Sequence, residues 1–281
     1  MTKTDIISGF LGAGKTTFAN LLLRHYLNKG LKPVYIVNEF GKTGLDGEII
    51  KSEGFEAIEI EGGCICCTLK GDIANCIKNA IEKFNPTNIV FEPSGIFIFD
   101  NFFEIVNDIC KIENVFTIVD AINFNFAKAK YGSFIYNQIK NAKTIILSKT
   151  KCQDINELIC DIKNINEHAY IYSSDNIDFD KIQKSENFTP HNAHFHHSFK
   201  TFTINPKKVF SDEQLQEFIK NCTSGTFGDL YRVKGVLKTK QANILLNISL
   251  NDINIKPFKG IPVITFIGDS ILKDKIYGTT S

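Results

Sequence analysis

The chain has no surplus of charge of either sign: 32 basic and 31 acidic side chains leave a formal net charge of +1. Binding to nucleic acid or to an acidic membrane surface draws on an excess of Lys and Arg, so neither is expected as a partner. The sequence also lacks any window of about 18 apolar residues that could cross a bilayer. Its first residues, Met1 to Asp5, run into a strand-like segment without an apolar signal core or cleavage site, which suits a cytoplasmic protein. Arginine is almost absent, with only Arg24 and Arg232 among the basic residues. Asn, Ile, Lys and Phe are correspondingly frequent, a genome composition bias with no functional meaning. No internal repeat and no long low-complexity segment is found. What remains is an ordinary globular composition of 281 residues, 22% charged and 43% hydrophobic, long enough for one large or two medium domains. It includes eight cysteines, and in a reducing compartment their spacing decides between buried thiols and metal or redox chemistry.

The first half alternates short apolar runs with amphipathic stretches, the signature of a parallel sheet covered by helices. Strands are expected at Asp5–Ser8, Lys32–Val37, Glu56–Ile60, Asn88–Phe91, Val115–Val119, Thr144–Leu147 and Ala169–Tyr172. Helices are expected at Thr16–Asn28 and at Asp72–Phe84, where Ile73, Ile77, Ala80, Ile81 and Phe84 recur at helical spacing. The pattern predicts a three-layer α/β domain over residues 1–185. A polar stretch with Pro190 and four histidines follows and reads as a linker at 186–197. Residues 198–281 change order: a strand at Phe199–Ile204, a helix at Asp212–Asn221 capped by Ser211, then strands at Leu230–Leu237, Ile244–Leu250 and Val263–Ile267. Strand follows strand there, which predicts a small α+β domain.

Gly9-Phe10-Leu11-Gly12-Ala13-Gly14-Lys15-Thr16-Thr17 fits GxxxxGK[ST] between a predicted strand and a predicted helix. Glycines let successive backbone N–H groups curl around phosphates, and the helix N-terminus adds its positive end to the same place. Gly9, Gly12, Ala13, Gly14, Lys15, Thr16 and Thr17 are therefore candidate nucleotide-binding residues. Lys15 is placed to reach the β- and γ-phosphates, and the Thr16 hydroxyl to ligate Mg²⁺. A second signal is Glu92-Pro93-Ser94-Gly95 after the strand at 88–91. Glu92 is placed to hold magnesium, usually through water, and Gly95 to offer its N–H to a γ-phosphate.

Glu61-Gly62-Gly63-Cys64-Ile65-Cys66-Cys67-Thr68 puts three thiols within four positions. Thiolates this close repel unless a cation joins them, which points to Zn²⁺, Co²⁺ or Ni²⁺ on Cys64, Cys66 and Cys67. Three thiolates leave a tetrahedron open, a geometry suited to transfer more than to storage. A redox pair is the competing reading. Cys76, Cys110, Cys152, Cys160 and Cys222 fall singly and read as buried small hydrophobes. His191, His194, His196 and His197 read as a solvated linker, with an auxiliary metal site as the alternative.

The combination GFLGAGKTT, Asn38-Glu39-Phe40-Gly41, GGCICC and EPSG resembles the CobW-type family of metallochaperone GTPases, relatives of the nickel-insertion GTPases. Tyr231-Arg232-Val233-Lys234-Gly235 is similar to that family's small C-terminal domain. The resemblance implies a P-loop GTPase with Mg²⁺ that takes a transition metal at CxCC, delivers it to a client metalloprotein or metallocofactor pathway, a cobalamin-related one among the candidates, and resets by slow hydrolysis. It implies phosphate contacts from Gly12, Gly14, Lys15, Thr16 and Thr17, with Lys15, Glu92 and Gly95 as the catalytic set. Glu39 and Asp46 would lie in a switch near Mg²⁺, and Ser148 and Lys149 on the base side. One position departs from the family: Ser148-Lys149-Thr150-Lys151 stands where NKxD is usual. Lys151 is donor-only and cannot accept the guanine N1–H and amine hydrogens, while Asp154 with Glu157 reads as a capping box. Lys42 replaces an acidic residue often found in relatives. An ATP-using or nucleotide-promiscuous cofactor chaperone, and a nucleotide-gated metal-storage protein with negligible turnover, are the alternatives.

Overall fold

Strand β1 (Lys3–Gly9) is buried from Thr4 to Gly9, as expected of a parallel strand covered on both faces. In the computed structural model the described residues are all except 41–46, 48–49, 52, 63–68, 98, 100–101, 152–153, 184–189, 192–199 and 250–251. For residues 39–40, 61–62 and 69–72 the description is of the backbone alone. Around β1 stand β2 (Pro33–Phe40), β3 (Ala57–Gly62), β4 (Asn88–Glu92), β5 (Lys111–Asp120), β6 (Thr144–Ser148) and β7 (Tyr170–Ser173). Their order in the sheet is β3-β2-β4-β1-β5-β6-β7. The pairs β2/β4, β4/β1, β1/β5, β5/β6 and β6/β7 are all parallel. The carboxyl ends of these strands therefore share one edge of the sheet, where ligands of open α/β sheets bind.

Helices α1 (Lys15–Asn28), α2 (Leu69–Phe84), α3 (Phe102–Asn107), α4 (Phe124–Lys140) and α5 (Asn156–Ile165) alternate with the strands. Period-two alternation divides the strand side chains between two cores. Ile6, Val34, Ile36 and Phe91 pack with Ile73, Ile77 and Ala80 of α2 and with Phe102 and Phe103 of α3. Ile7, Tyr35, Val37 and Val90 pack on the other face with Phe18, Leu22 and Leu23 of α1. This is the three-layer sandwich expected from the βα alternation. Two expectations change. Cys160 in α5 is exposed, although Cys110 and Cys222 are buried and Cys76 partly so; α5 fully buries only Ile162 and half-covers Leu158, Ile159 and Ile165, which leaves Cys160 outside its packed face. Cys152 lies outside the described residues. Nor is Asp154 part of a capping box. The cap of α5 is Ile155 without a side-chain bond. Asp154 stands one position earlier and accepts from the Asn156 N–H at 3.0 Å, closing a local turn instead.

A second compact unit carries the C-terminal strands. β8 (Lys200–Ile204), β9 (Val209–Phe210), β10 (Leu230–Thr239), β11 (Asn243–Ser249), β12 (Asp252–Pro257) and β13 (Val263–Gly268) form a sheet ordered β12-β11-β10-β13-β8, with β9 beside β10. Helices α6 (Asp212–Thr223) and α7 (Lys273–Thr280) belong to the same unit. Ser211 caps α6 with a complete capping box through Gln214, worth about 1 kcal/mol. β12 was not expected from the sequence, although Asp252-Ile253-Asn254-Ile255 alternates polar and apolar residues; Ile253 and Ile255 at its centre are exposed. Among the described residues no helix is long and apolar enough to cross a membrane.

Candidate functional site

β1 ends at Gly9, whose φ is +142°. An added Cβ there would lie 2.4 Å from the Ile118 carbonyl oxygen of β5. Both the conformation and the strand beside it demand glycine. The chain then turns through Phe10 to Gly14, with the Ala13 N–H donating to the Phe10 carbonyl at 3.2 Å. Gly14 caps α1 in the left-handed conformation without a side-chain bond, and no acidic residue occupies the first turn. The first-turn N–H groups have no partner inside the helix. Lys15 is buried, and its ammonium donates to the Phe10 carbonyl at 3.3 Å. It therefore folds back over the loop that precedes it. Phe10 itself stacks on Tyr131 of α4 with ring centroids 4.7 Å apart.

At the end of β4, Glu92 is 4% exposed. The Thr16 hydroxyl donates to its Oε1 at 3.2 Å, and the Tyr35 hydroxyl of β2 to its Oε2 at 2.6 Å. Sequence reasoning singled out Thr16 and Glu92 and missed Tyr35. A tyrosine inside an apolar strand gives no signal of its phenol partner until β2 is placed next to β4. Thr16 and Glu92 together present hard oxygen donors beside the curled loop, a donor set that fits Mg²⁺.

Gly95 stands against the same loop. A Cβ on it would lie 2.8 Å from the Leu11 backbone nitrogen and 2.7 Å from Leu11 Cδ2. The segment is fastened from behind by α4: the Gln138 side-chain amide donates to the Gly95 carbonyl at 3.0 Å, and Asn137 Oδ1 accepts from the Phe99 N–H at 3.1 Å. Both side chains are buried. Neither carried a motif in the sequence, because a lone Asn-Gln pair in a helix is ordinary.

On the other side of β1, Ser148 at the end of β6 donates to the Ala13 carbonyl at 2.7 Å, tying the Ser148–Lys151 segment to the phosphate loop. Lys149 has φ +58°, and its ammonium meets Asp120 Oδ2 at 2.6 Å. Asp120, at the end of β5, also accepts from the Ile122 and Asn123 N–H groups and from the Asn123 side-chain amide. This carboxylate is a further residue that the sequence did not single out.

The structure thus brings Gly9 to Thr17, Glu92, Gly95, Ser148 and Lys149 to one edge of the sheet. Cys64, Cys66, Cys67 and Asp46 lie outside the described residues, as do Lys42, His194, His196 and His197, and so does the side chain of Glu39. His191 is described: its N–H donates to Asn141 Oδ1 at 2.7 Å and its carbonyl accepts from Asn141 Nδ2 at 3.0 Å. That residue is anchored on the first unit, unlike the solvated linker expected there.

A family model described as the CobW/HypB/UreG nucleotide-binding domain matches residues 3–173. The zinc chaperone CobW of a Sinorhizobium sp is 42% identical over 98 residues, covering 32% of this chain and 27% of that protein. The zinc-regulated GTPase metalloprotein activator 1 of Dictyostelium discoideum is 24% identical over 297 residues, covering 82% of this chain and 62% of that protein. In both, the match spans less than two thirds of the relative's own length. A crystal structure of Zn(II)-bound YjiA GTPase from E. coli superposes with a TM-score of 0.46 at 18% identity, over 99% of this chain and 97% of that one.

Proposed function

The chain belongs to the CobW/HypB/UreG family, and from that premise we propose that it is a GTP-hydrolysing metallochaperone whose cargo is zinc. The observation that carries the nucleotide half of this reading is the array Thr16–Glu92–Tyr35 beside the glycine-built loop. The helix N-terminus and the loop N–H groups would bind the β- and γ-phosphates. Lys15 would leave the Phe10 carbonyl to reach them. Thr16 and Glu92 would hold Mg²⁺, which when bound neutralises charge on the phosphate oxygens. Gly95, pressed against Leu11, would bring its segment to the γ-phosphate.

Hydrolysis would be slow. Glu92 is engaged by Thr16 and Tyr35 and is no free general base, so turnover rests on positioned water and charge stabilisation. The zinc half rests on three closely spaced thiols in the sequence and on relatives named as zinc chaperones. Cys64, Cys66 and Cys67 would take the cargo as thiolates and pass it to a client metalloprotein. Cobalt and nickel are less favoured than zinc because the relatives' names specify zinc.

The test is a Zn²⁺ titration against a chromogenic chelator, with and without a non-hydrolysable GTP analogue. The expected result is a change in zinc affinity of at least fivefold on adding the analogue, a coupling of about 1 kcal/mol. Cys66→Ala with Cys67→Ala should abolish tight zinc binding, and Lys15→Ala should abolish the coupling while leaving zinc bound. Equal zinc affinity with and without nucleotide would overturn the chaperone cycle and favour metal storage.

A further inference from the structure

The segment Ser148-Lys149-Thr150-Lys151 leaves open how a purine would be recognised, and the loop after β7 supplies an answer. The sheet order places β4 on one side of β1 and β5, β6, β7 on the other. With Glu92 and Gly95 at the end of β4 beside Thr16 and Leu11, the γ-phosphate end of a nucleotide lies on that side. Its base then extends the opposite way, past Ser148, toward the loops that follow β6 and β7. Guanine offers two donors there, N1–H and the exocyclic amine, which a buried or semi-enclosed site must match with acceptors.

Five carboxylates stand near those loops, of which Asp178 is engaged by the Asp180 N–H and Lys181, and Asp180 by Lys29 and His25. Asp120 is already committed to Lys149, two backbone N–H groups and the Asn123 amide. Asp154 is turned onto the Asn156 N–H. Asp175 differs from all four. The Thr150 hydroxyl donates to its Oδ2 at 2.7 Å, and Thr150 Oγ also lies 2.8 Å from Ser173 Oγ. Ser173 Oγ accepts from the Asp175 N–H at 3.3 Å. Since the single hydroxyl hydrogen of Thr150 goes to Asp175, Ser173 must be the donor between the two hydroxyls. The result is a closed ring, Asp175 N–H to Ser173, Ser173 to Thr150, Thr150 to Asp175. It fixes an exposed carboxylate against the loop that carries Lys149. Oδ1 takes no hydrogen bond among the described residues.

We propose that Asp175, held by Thr150 and Ser173, is the residue that selects guanine in this chain, accepting the base's N1–H and amine hydrogens from the loop after β7. The assignment rests on the reading of Gly9–Thr17 as a nucleotide site. It makes the chain a GTP-selective protein despite Lys151.

The test displaces a fluorescent guanine nucleotide from the full chain with GTP, ATP and XTP, using wild type, Asp175→Asn and Asp154→Asn. Xanthine carries a carbonyl where guanine has its amine, and an Asn amide can donate to it while still accepting from N1–H. Asp175→Asn is therefore expected to lower the preference for GTP over XTP by about 10- to 100-fold, the worth of a charged hydrogen bond, with Asp154→Asn unchanged. Affinity for tripolyphosphate, which has no base, should be the same in all three. An unchanged GTP to XTP ratio in Asp175→Asn would overturn the proposal, as would a shift in Asp154→Asn alone or a wild type that binds ATP as well as GTP. Failure of the wild type to bind tripolyphosphate or any nucleotide would instead sink the nucleotide site itself, and the proposal with it.

Discussion

The Tyr35 hydroxyl lies 2.6 Å from Glu92 Oε2, joining a phenol inside β2 to the carboxylate that ends β4. Thr16 holds the other oxygen of the same carboxylate. Tyr35→Phe removes one donor from a group that is 4% exposed, and the remaining acceptor is left in a desolvated place. The expected loss is about 1–3 kcal/mol in denaturant unfolding. The freed carboxylate should also lower the Mg²⁺ dependence of nucleotide binding to a shallower, weaker curve. A variant with wild-type stability and wild-type Mg²⁺ titration would show that the contact is incidental.

Gly95→Ala puts a methyl group 2.8 Å from the Leu11 nitrogen. Backbone cannot yield as a side chain can, so the loop or the 92–97 segment must shift. We expect GTP hydrolysis to fall at least tenfold while nucleotide binding weakens less, because the displaced segment would meet only the γ-phosphate. Comparison of GDP and GTP-analogue affinities reads this directly: GDP should be nearly unaffected. Equal loss for both nucleotides would mean that the whole loop had been distorted.

Asp120 gathers Lys149, two N–H groups and an amide at the end of β5. Asp120→Ala strips all of these at once and should destabilise the first unit by roughly 3 kcal/mol, the scale for breaking a largely buried pair. Asp120→Asn retains an acceptor for the backbone and should lose less. Chemical denaturation of the two variants side by side gives the ranking, and Asn as damaging as Ala would contradict it.

The alkaline limb of stability should be steep. Burial pushes the Cys76 thiol up to about 11, and it raises Cys222 and Cys110 as well, the latter against a hydrogen bond to Thr4. Burial, then the neighbouring Asp5, raises the Tyr26 phenol. Each group keeps its proton in the folded chain after the unfolded chain has lost it. The unfolded state then binds fewer protons, so stability falls with rising pH. For Cys76 the loss should run from pH 9.0 to about 11. Melting temperature followed from pH 7.5 upward should drop across that window, with less drop in Cys222→Ala. A flat profile would show that these thiols are not buried in solution.

Much of the site could be read from the sequence because its parts are local. A phosphate loop needs glycines at fixed offsets before a helix, and Gly9, Gly14, Lys15 and Thr16 carry that requirement in adjacent positions. The βα alternation was equally visible, since burial on both faces leaves continuous apolar runs such as Ile6–Ile7 and Val34–Val37. Ser211 was read as the cap of α6 for the same reason, since a cap acts within one turn; its capping box through Gln214 came from the structure. Tyr35, Asp120, Asn137, Gln138 and Asp175 were not found. Each acts on a residue far away along the chain, and nothing in its own neighbourhood marks it.

By itself, then, the sequence determined the local signals: a GxxxxGK[ST] loop before a helix, an acidic residue at the end of a strand, three closely spaced thiols and the family to which they point. Those signals lie in short stretches where backbone geometry and ligand spacing leave few choices. Only the tertiary structure decided which side chains support that chemistry, because parallel strands bring distant segments to one edge. β2 beside β4 gives Glu92 its tyrosine, the end of β6, one strand beyond β5, ties Ser148 to Ala13, and β7 beside β6 sets Asp175 against Thr150. Lys151 stands where an acceptor was expected in one loop, and the sheet order sets the carboxylate of Asp175 against that same loop.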